Sequence, residues 1–203
     1  MADCAPFAGG RLLDIGCGDL PYRDLFTPHV DRYVAMDLGR SRYQGGGVSA
    51  WGDALCLPFA SGSFGTVLCN QVLEHVAEPQ KLLEEAARVL KPGGSLILTA
   101  PHIWGVHEPP EDYYRFTPYG LSYLARRAGL QVLNVQALAG FWVTAGTRFC
   151  YYLSRFERLP AGRLVRPVYA AVQLVALGLD RIHRVESEAW NHLMVAQRPQ
   201  AGR

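Results

Sequence analysis

The sequence has little excess charge of either sign. Its 203 residues include 20 basic and 18 acidic side chains, which leaves a formal net charge of +2. Proteins that bind nucleic acid through its phosphates carry a larger and more clustered positive charge. Lysine is almost absent, because every basic residue except Lys81 and Lys91 is an arginine. The composition therefore argues against nucleic acid as a partner.

The chain also lacks the features of secreted, zinc-binding and membrane-spanning proteins. Its five cysteines are odd in number and form no C-x-x-C pair, which argues against a disulfide framework or a zinc knuckle and favours a reducing compartment. The amino-terminal residues show no basic start followed by an apolar core, so no secretory signal is expected. The longest apolar run, 168–179, is too short to span a bilayer. We therefore expect a cytoplasmic protein.

Short β-rich runs alternate with helical patterns along the chain, which is typical of an α/β fold around a mostly parallel sheet. One domain over 1–203 is expected, with a helical insertion at 141–185 before the last strand. The helical patterns lie at 79–90, from Thr117-Pro118 to near Gly129, at 141–156 and at 163–182. The predicted strands are 11–17, 32–38, 48–54, 65–71, 95–102, 130–138 and 192–196, with a long loop at 103–116.

Glycines and acids follow the predicted strands where each strand ends. In open parallel sheets, ligands bind beyond the carboxyl ends of the strands. Gly16 and Gly18 allow a ligand to approach the backbone, and Asp37 is spaced to accept hydrogen bonds from ribose hydroxyls. Position 21 is Pro21 instead of the third glycine of a dinucleotide fingerprint, and the turn has no P-loop lysine. These residues predict a nucleoside ligand with little or no phosphate.

Several segments together resemble the class I S-adenosylmethionine-dependent methyltransferases, in particular the small-molecule subgroup that includes quinone- and polysaccharide-modifying enzymes. The segments are LLDIGCGDLPY, the strand-end Asp37, GDALCLPF, FGTVLCNQVLEHV and LLEEAARVLKPGGSLILTAPH. The resemblance covers roughly 11–138 and the closing strand. HEPPEDYYRFT (107–117) is similar to a bacterial subset associated with sugar or surface-polysaccharide biosynthesis.

The resemblance implies a Rossmann-like, three-layer α/β fold with a seven-stranded, mostly parallel sheet whose last strand is antiparallel. It implies S-adenosylmethionine as the cofactor and no metal. The first motif would pack against the methionine part, Asp37 would hold the ribose, Asp53 and Ala54 the adenine, and the fourth strand end would face the transferred methyl. The implied cofactor-binding residues are Asp14, Gly16, Cys17, Gly18, Asp37, Leu38, Asp53, Ala54, Asn70 and Gln71.

The chain departs from the family pattern in two places. Leu20 stands where the first motif often has a third glycine. Only ten residues precede the first predicted strand, where relatives usually have helices that cover the cofactor. The insertion at 141–185 and the loop at 103–116 are the candidates for covering the site instead.

Four residues are candidates for a general base, which a hydroxyl acceptor would need more than an amine would. They are His75, His102, His107 and Glu108. Candidate substrate contacts are Trp104, Glu108, Asp112, Tyr113 and Arg115. The alternatives are a structural role for His75 and a salt bridge from Asp112 to Arg115 that fixes the loop. Arg115 would still suit an acidic sugar or phosphate.

The insertion is rich in arginine beside apolar residues. Its arginines include Arg155, Arg158, Arg163, Arg166, Arg181 and Arg184. A lid or a homodimer face explains this pattern and is favoured over contact with the inner face of a membrane.

The sequence thus predicts methyl transfer to the oxygen of a small-molecule or glycan-type acceptor, which a lipid could carry. The alternative is a non-catalytic protein of the same fold that acts as a regulator or partner subunit. An enzyme that uses NAD or a nucleotide sugar is a third candidate.

Overall fold

The computed structural model describes residues 1–39, 47–158 and 165–200. These residues fall into two compact units. The first is Met1–Ala100, Val106–Gln136 and Leu193–Arg203, and the second is Pro101–Gly105 and Ala137–His192. The predicted helix break at 159–162 and Arg163 lie outside the described residues.

Seven strands form one sheet in the order β3-β2-β1-β4-β5-β7-β6. The strands are β1 (Arg11–Ile15), β2 (Arg32–Asp37), β3 (Ala50–Trp51), β4 (Phe64–Asn70), β5 (Leu90–Pro101), β6 (Gln131–Leu138) and β7 (Asn191–Gln197). The pairs β1–β2, β1–β4, β2–β3 and β4–β5 are parallel. β7 runs antiparallel to β5, because Gly93 donates to the carbonyl of Arg198 and Arg198 donates to that of Gly94 at one end of the pair. The predicted α/β fold is confirmed.

The helices are α1 (Arg23–Phe26), α2 (Pro79–Val89), α3 (Pro118–Arg127), α4 (Phe141–Leu153) and α5 (Val165–Ile182). The residues of α2 that face the core are Leu82, Leu83, Ala86, Ala87 and Val89. Helix α3 starts as the sequence predicts: Thr117 accepts a hydrogen bond from the Gly120 N–H at 3.1 Å, and Pro118 occupies the first turn. No helix or strand is assigned within 103–116, as predicted.

Several predicted boundaries are wrong for local reasons. β1 ends at Ile15 instead of residue 17, because Gly16 has a φ of +66° and turns the chain. β3 covers Ala50–Trp51 instead of 48–54, because a tight turn follows in which Leu55 donates to the carboxylate of Asp53.

Two further boundaries differ on either side of α2. β5 begins at Leu90, since Leu90 already pairs with Phe64 across an irregularity in the register. The sequence position of His75 predicts that it begins the helix after β4, but in the structure it ends a short 3-10 turn, Leu73–His75.

In the second unit, the carboxylate of Asp180 near the end of α5 caps the start of α4. Its oxygens accept hydrogen bonds from the N–H groups of Gly140 and Trp142 at 2.6 and 3.1 Å. The helices also approach closely, because a Cβ built on Gly146 would lie 2.9 Å from the Cβ of Ala176. None of the described helices is long and apolar enough to cross a membrane.

Gly65, near the start of β4 in the first unit, packs closely against the backbone of the segment that precedes β1, and its substitution tests this packing. A Cβ at this position would lie 2.4 Å from the backbone oxygen of Gly9, which also accepts a hydrogen bond from Thr66 at 2.9 Å. We expect Gly65→Ala to lower the free energy of unfolding by about 1–3 kcal/mol, because the backbone of the facing segment must shift. Urea unfolding measures the change. Gly9→Ala is the matched control, since nothing lies within 4 Å of its Cβ; equal stability of both variants would contradict the packing described.

Candidate active site

A cavity of about 440 Å³ opens in the first unit beyond the carboxyl ends of β1, β2, β3 and β4. This is the edge at which parallel sheets bind ligands. The residues on its described wall are Ile15, Gly16, Met36, Asp37, Leu38, Gly52, Asp53, Ala54, Leu55, Gln71, Val72, His75, Val76, Ala77, Glu108, Glu111 and Tyr113. Side chains from four strand ends and from one loop therefore share a single space.

The turn after β1 is tied to the end of β2 by hydrogen bonds. The N–H groups of Gly16 and Cys17 both donate to the carbonyl of Met36, at 2.9 and 3.1 Å. A side chain at position 16 would clash, because its Cβ would lie 2.4 Å from a methyl group of Val72. The backbone of the turn is therefore exposed to the cavity without a side chain in the way.

Asp37 is held in one orientation by two backbone donors. The Gly18 N–H donates to Oδ2 at 2.9 Å and the Leu38 N–H donates to Oδ1 at 2.7 Å. The residue is buried but lines the cavity, so each carboxylate oxygen keeps acceptor capacity for a ligand. This arrangement suits a bidentate contact with two vicinal hydroxyl groups.

Cys17 and Asp14 support this turn from positions that do not line the described wall. The Cys17 thiol lies 4.0 Å from Asp37, and burial raises the pKa of Cys17 to about 12, so the thiol stays protonated. Asp14 is buried and accepts a hydrogen bond from the hydroxyl of Tyr33. Burial raises the pKa of Asp14 to about 7, while the Tyr33 hydrogen bond opposes the increase.

The turn after β3 presents Asp53 and Ala54 to the cavity. Asp53 accepts from the Leu55 N–H at 2.8 Å, and the Gly52 N–H donates to the carbonyl of Asp37 at 3.0 Å. The two acids predicted for the ribose and adenine therefore lie on segments that are hydrogen-bonded to each other.

Gln71 follows β4 in a left-handed backbone conformation, with φ of +53°. Its side-chain amide donates to the Thr99 hydroxyl at 3.0 Å, and that hydroxyl donates to Asn70 at 2.6 Å. Non-glycine residues in this conformation are uncommon and cluster at functional sites. Asn70 lies outside the described wall but helps to fix Gln71, which lies on it.

Glu74 is a buried acid that sequence reasoning missed. Its side chain has no solvent exposure, and neither carboxylate oxygen has a hydrogen-bond partner. Burial raises the pKa of Glu74 to about 7, against smaller opposing effects from His75 and Arg115. The sequence gives no signal for this, because acids are usually exposed.

His75 lies between this acid and the loop. Its Nε2 is 3.9 Å from Oε1 of Glu74, and its Nδ1 contacts the backbone carbonyl of Glu111. Since a carbonyl oxygen can only accept, the proton of the neutral ring belongs on Nδ1. The lone pair is then on Nε2, and the ring lines the cavity.

The loop at 103–116 is fixed by the ion pair that the sequence suggested. Arg115 donates to both carboxylate oxygens of Asp112, at 2.6 and 2.8 Å, and Asp112 also accepts from the His107 N–H at 2.7 Å. The Arg115 guanidinium holds the pKa of Asp112 well below its usual range. His107 packs edge-on against His75 with ring centroids 4.9 Å apart, but it does not line the described cavity wall.

Glu108 and Tyr113 bring the loop to the cavity. The Tyr113 N–H donates to the carbonyl of Glu74 at 2.8 Å, which ties the loop to the turn after β4. Asp112 and Arg115, which were predicted to contact the substrate, instead form an ion pair with each other, as the alternative prediction had it.

Potential ligand atoms of Glu74, His75 and His107 lie within 4.8 Å of one another. The Arg115 guanidinium is 3.3 Å from Nδ1 of His107, and its positive charge disfavours a divalent cation at this cluster.

His102 and Trp104 belong to the second unit. The His102 ring lies 5.1 Å from that of His192, and the His102 N–H donates to the Trp190 carbonyl at 2.7 Å. Trp104 packs against Tyr151 and Trp190 at 5.4 and 5.7 Å. Their catalytic and substrate roles stay predictions.

Residues 13–98 match the family described as "Methyltransferase domain". The ubiquinone/menaquinone biosynthesis C-methyltransferase of Roseobacter denitrificans is 36% identical over 108 residues, which are 46% of this chain and 43% of that protein. The chain therefore spans less than half the length of this curated relative. The ubiquinone biosynthesis O-methyltransferase of Ralstonia nicotianae is 25% identical over 66% of this chain and 68% of that protein.

A solved structure of an S-adenosylmethionine-dependent methyltransferase from Mesorhizobium loti has the same fold. Its TM-score is 0.61 at 16% identity, over 97% of this chain and 95% of that one. At this identity the likeness establishes the fold alone.

The buried carboxyl of Glu74 gives the first unit a pH-dependent stability. A pKa raised from 4.5 to about 7 means that the folded state holds a proton which the unfolded state loses at lower pH. The free energy of unfolding of the wild type should therefore fall as the pH rises through this window. Glu74→Gln removes this contribution. Between pH 4 and pH 8, the free energy of unfolding of the variant should therefore increase by about 3 kcal/mol relative to that of the wild type.

Chemical denaturation of both proteins across this pH range measures the difference. Glu84→Gln, an exposed acid on α2, is the matched control and should follow the wild type. A Glu74→Gln curve parallel to the wild type would contradict the raised pKa.

Proposed function

We propose that this chain, whose residues 13–98 match the methyltransferase domain family, is a class I S-adenosylmethionine-dependent methyltransferase that methylates a small, neutral, hydroxylated acceptor at oxygen. The observation that carries the proposal is the cavity in which a pre-oriented carboxylate, Asp37, shares one wall with a histidine, His75. Among the relatives, the names include a C-methyltransferase and an O-methyltransferase, so the family alone leaves the acceptor atom open.

The residues on the described wall fit the cofactor. Gly16 lies on the wall without a side chain of its own, so its backbone can face the methionine portion. Asp37 would accept hydrogen bonds from the ribose hydroxyl groups. Asp53 would accept a hydrogen bond from the adenine amine, and the Ala54 N–H would donate to a nitrogen of the adenine ring. Gln71 would face the methyl group. S-adenosylmethionine, when bound, supplies an electrophilic methyl group on a positively charged sulfur.

The charge of the wall favours a neutral acceptor. The carboxylates on it are Asp37, Asp53, Glu108 and Glu111, and its described part includes neither lysine nor arginine. A negative potential attracts the cationic cofactor and repels an anionic acceptor. Arg115, which the sequence suggested for an acidic group, is engaged by Asp112. A neutral sugar or phenol therefore fits better than an acidic sugar or a phosphate.

The residue that we propose takes the proton of the acceptor is His75. The Glu111 carbonyl orients the ring and leaves the lone pair on Nε2. During transfer to an acceptor hydroxyl, the lone pair on Nε2 of His75 would accept the proton that the hydroxyl group loses. Above its pKa of about 7, the Glu74 carboxylate at 3.9 Å stabilises the resulting imidazolium. His75 is thus the proposed general base.

Asp37→Asn tests the cofactor assignment. The amide loses the charge that strengthens hydrogen bonds to ribose, so the Kd for S-adenosylmethionine should rise about tenfold or more. Isothermal titration with S-adenosylmethionine and S-adenosylhomocysteine measures the change, with NAD as the negative ligand. Asp31→Asn, at an exposed position before β2, is the matched control. Unchanged affinity in Asp37→Asn would contradict the ribose role. Binding of NAD would favour the third candidate, an enzyme that uses NAD or a nucleotide sugar.

His75→Gln tests the general base. Loss of proton transfer should lower kcat by about 10²–10⁴-fold while the Kd for the cofactor changes little. Formation of S-adenosylhomocysteine is followed over a panel of neutral sugars and phenols, with acidic sugars as the contrasting set. The exposed His29→Gln is the control and should keep wild-type turnover.

The pH profile separates catalysis from structure, because removal of a base abolishes the acidic limb of kcat whereas a folding defect does not. Cofactor binding without turnover on any acceptor would favour the non-catalytic alternative. Preference for anionic acceptors would contradict the charge argument.

A further inference from the structure

The second unit exposes an apolar surface that its own fold does not use. On α5, Leu174 is 70% exposed, Val175 61% and Ile182 85%. The neighbouring helix α4 exposes aromatic side chains on its last turns, including Phe149 and Tyr151. Contiguous exposed apolar surface of this kind marks an interaction site in proteins that are otherwise well packed.

This surface is separate from the packing between the two helices. Gly146 and Ala176 form the close approach, and Asp180 caps α4 from within the contact. Ala176 and Asp180 are the buried residues of α5, and Val175 lines the groove between the two helices, whereas Leu174 and Ile182 are exposed outside that contact. The exposed face of α5 is therefore not required to hold α4 and α5 together.

Arginines surround the apolar residues. In the described parts of the insertion, 141–158 and 165–185, the exposed arginines are Arg148, Arg155, Arg158, Arg166, Arg181 and Arg184. The acids in these ranges are Glu157 and the buried Asp180, and Glu186, just beyond them, forms an ion pair with Arg184 at 3.0 Å. Between Arg166 and Arg181, the outer face of α5 has Gln173 as its polar residue. The long arginine side chains can keep their charge in water while the apolar centre enters a less polar phase.

We propose that α4 and α5, which we call the basic apolar surface, bind in the plane of an anionic lipid membrane. A lipid surface with negative head groups matches both the apolar centre and the arginines at its rim. A second copy of this chain would bring the same positive charges together, which is unfavourable. This inference does not depend on the proposed methyl transfer.

Flotation with lipid vesicles tests the proposal on the full chain. The vesicles are pure phosphatidylcholine, or phosphatidylcholine in which roughly one lipid in three is phosphatidylglycerol. We expect binding to the anionic vesicles, weak binding to the neutral ones, and a decrease as salt is added. Leu174→Glu and Ile182→Glu should reduce binding by about tenfold or more, because each places a charge in the apolar centre.

Reversing the charge of single arginines tests the electrostatic part of membrane binding and leaves the apolar residues unchanged. Arg166→Glu and Arg181→Glu should each weaken binding at least about fivefold, which corresponds to the attraction of one arginine to an anionic surface. Tyr119→Glu and Arg126→Glu are matched controls at exposed positions of α3 in the first unit, and they should bind as the wild type does. Circular dichroism and cofactor titration establish that each variant is folded.

Three results would overturn the proposal. The first is no binding of the wild type to anionic vesicles. The second is equal loss of binding in the α5 variants and in the α3 controls, which would indicate unspecific charge attraction. The third is a wild-type dimer, measured by light scattering, that Leu174→Glu converts to a monomer without any change in lipid binding; the surface would then be an interface between two copies.

Discussion

The carbonyl oxygen of Met36 is the point on which the arrangement of the cavity depends. It accepts from two consecutive N–H groups of the β1 turn, so that turn and the end of β2 move as one piece. Val72, which follows β4, packs against the same turn, because its methyl group fills the space that a side chain at residue 16 would occupy. Backbone hydrogen bonds and one steric contact therefore fix the positions of three strand ends before any ligand binds, which lowers the ordering cost of binding.

The sequence predicted those parts of the molecule that follow from local rules. The strand-end acid Asp37, the glycine turn at Gly16 and the cap at Thr117 each depend on residue type and near neighbours, and each is found where expected. The antiparallel closing strand came from the family resemblance and not from the pattern of residues. The length of β3 was misjudged, because the pairing of a short strand is decided by the turn that follows it.

The acidic and basic groups around His75 were harder to predict because they depend on contacts distant in sequence. Glu74 resembles an ordinary surface acid until β4, the loop and α2 enclose it. His107 was predicted as a base, yet its position is decided by the Asp112–Arg115 pair, which leaves His75 as the histidine on the described wall. Asp14 and Glu74 both have pKa values raised to about 7 by burial, so protonation near neutral pH changes the charge beside the cavity from two directions.

The wall of the cavity is made by two kinds of segment. Strand ends supply Gly16, Asp37 and Gln71, whose positions are tied to the sheet, whereas Glu108, Glu111 and Tyr113 come from a single loop. That loop joins the turn after β4 through the Tyr113 N–H and the Glu111 carbonyl, both of which are backbone groups. The side chains of Glu108, Glu111 and Tyr113 take no part in these two attachments, so they can be exchanged without breaking them. Substitutions at these three positions can therefore change the shape and charge of the loop side of the cavity while the strand-end side keeps its geometry.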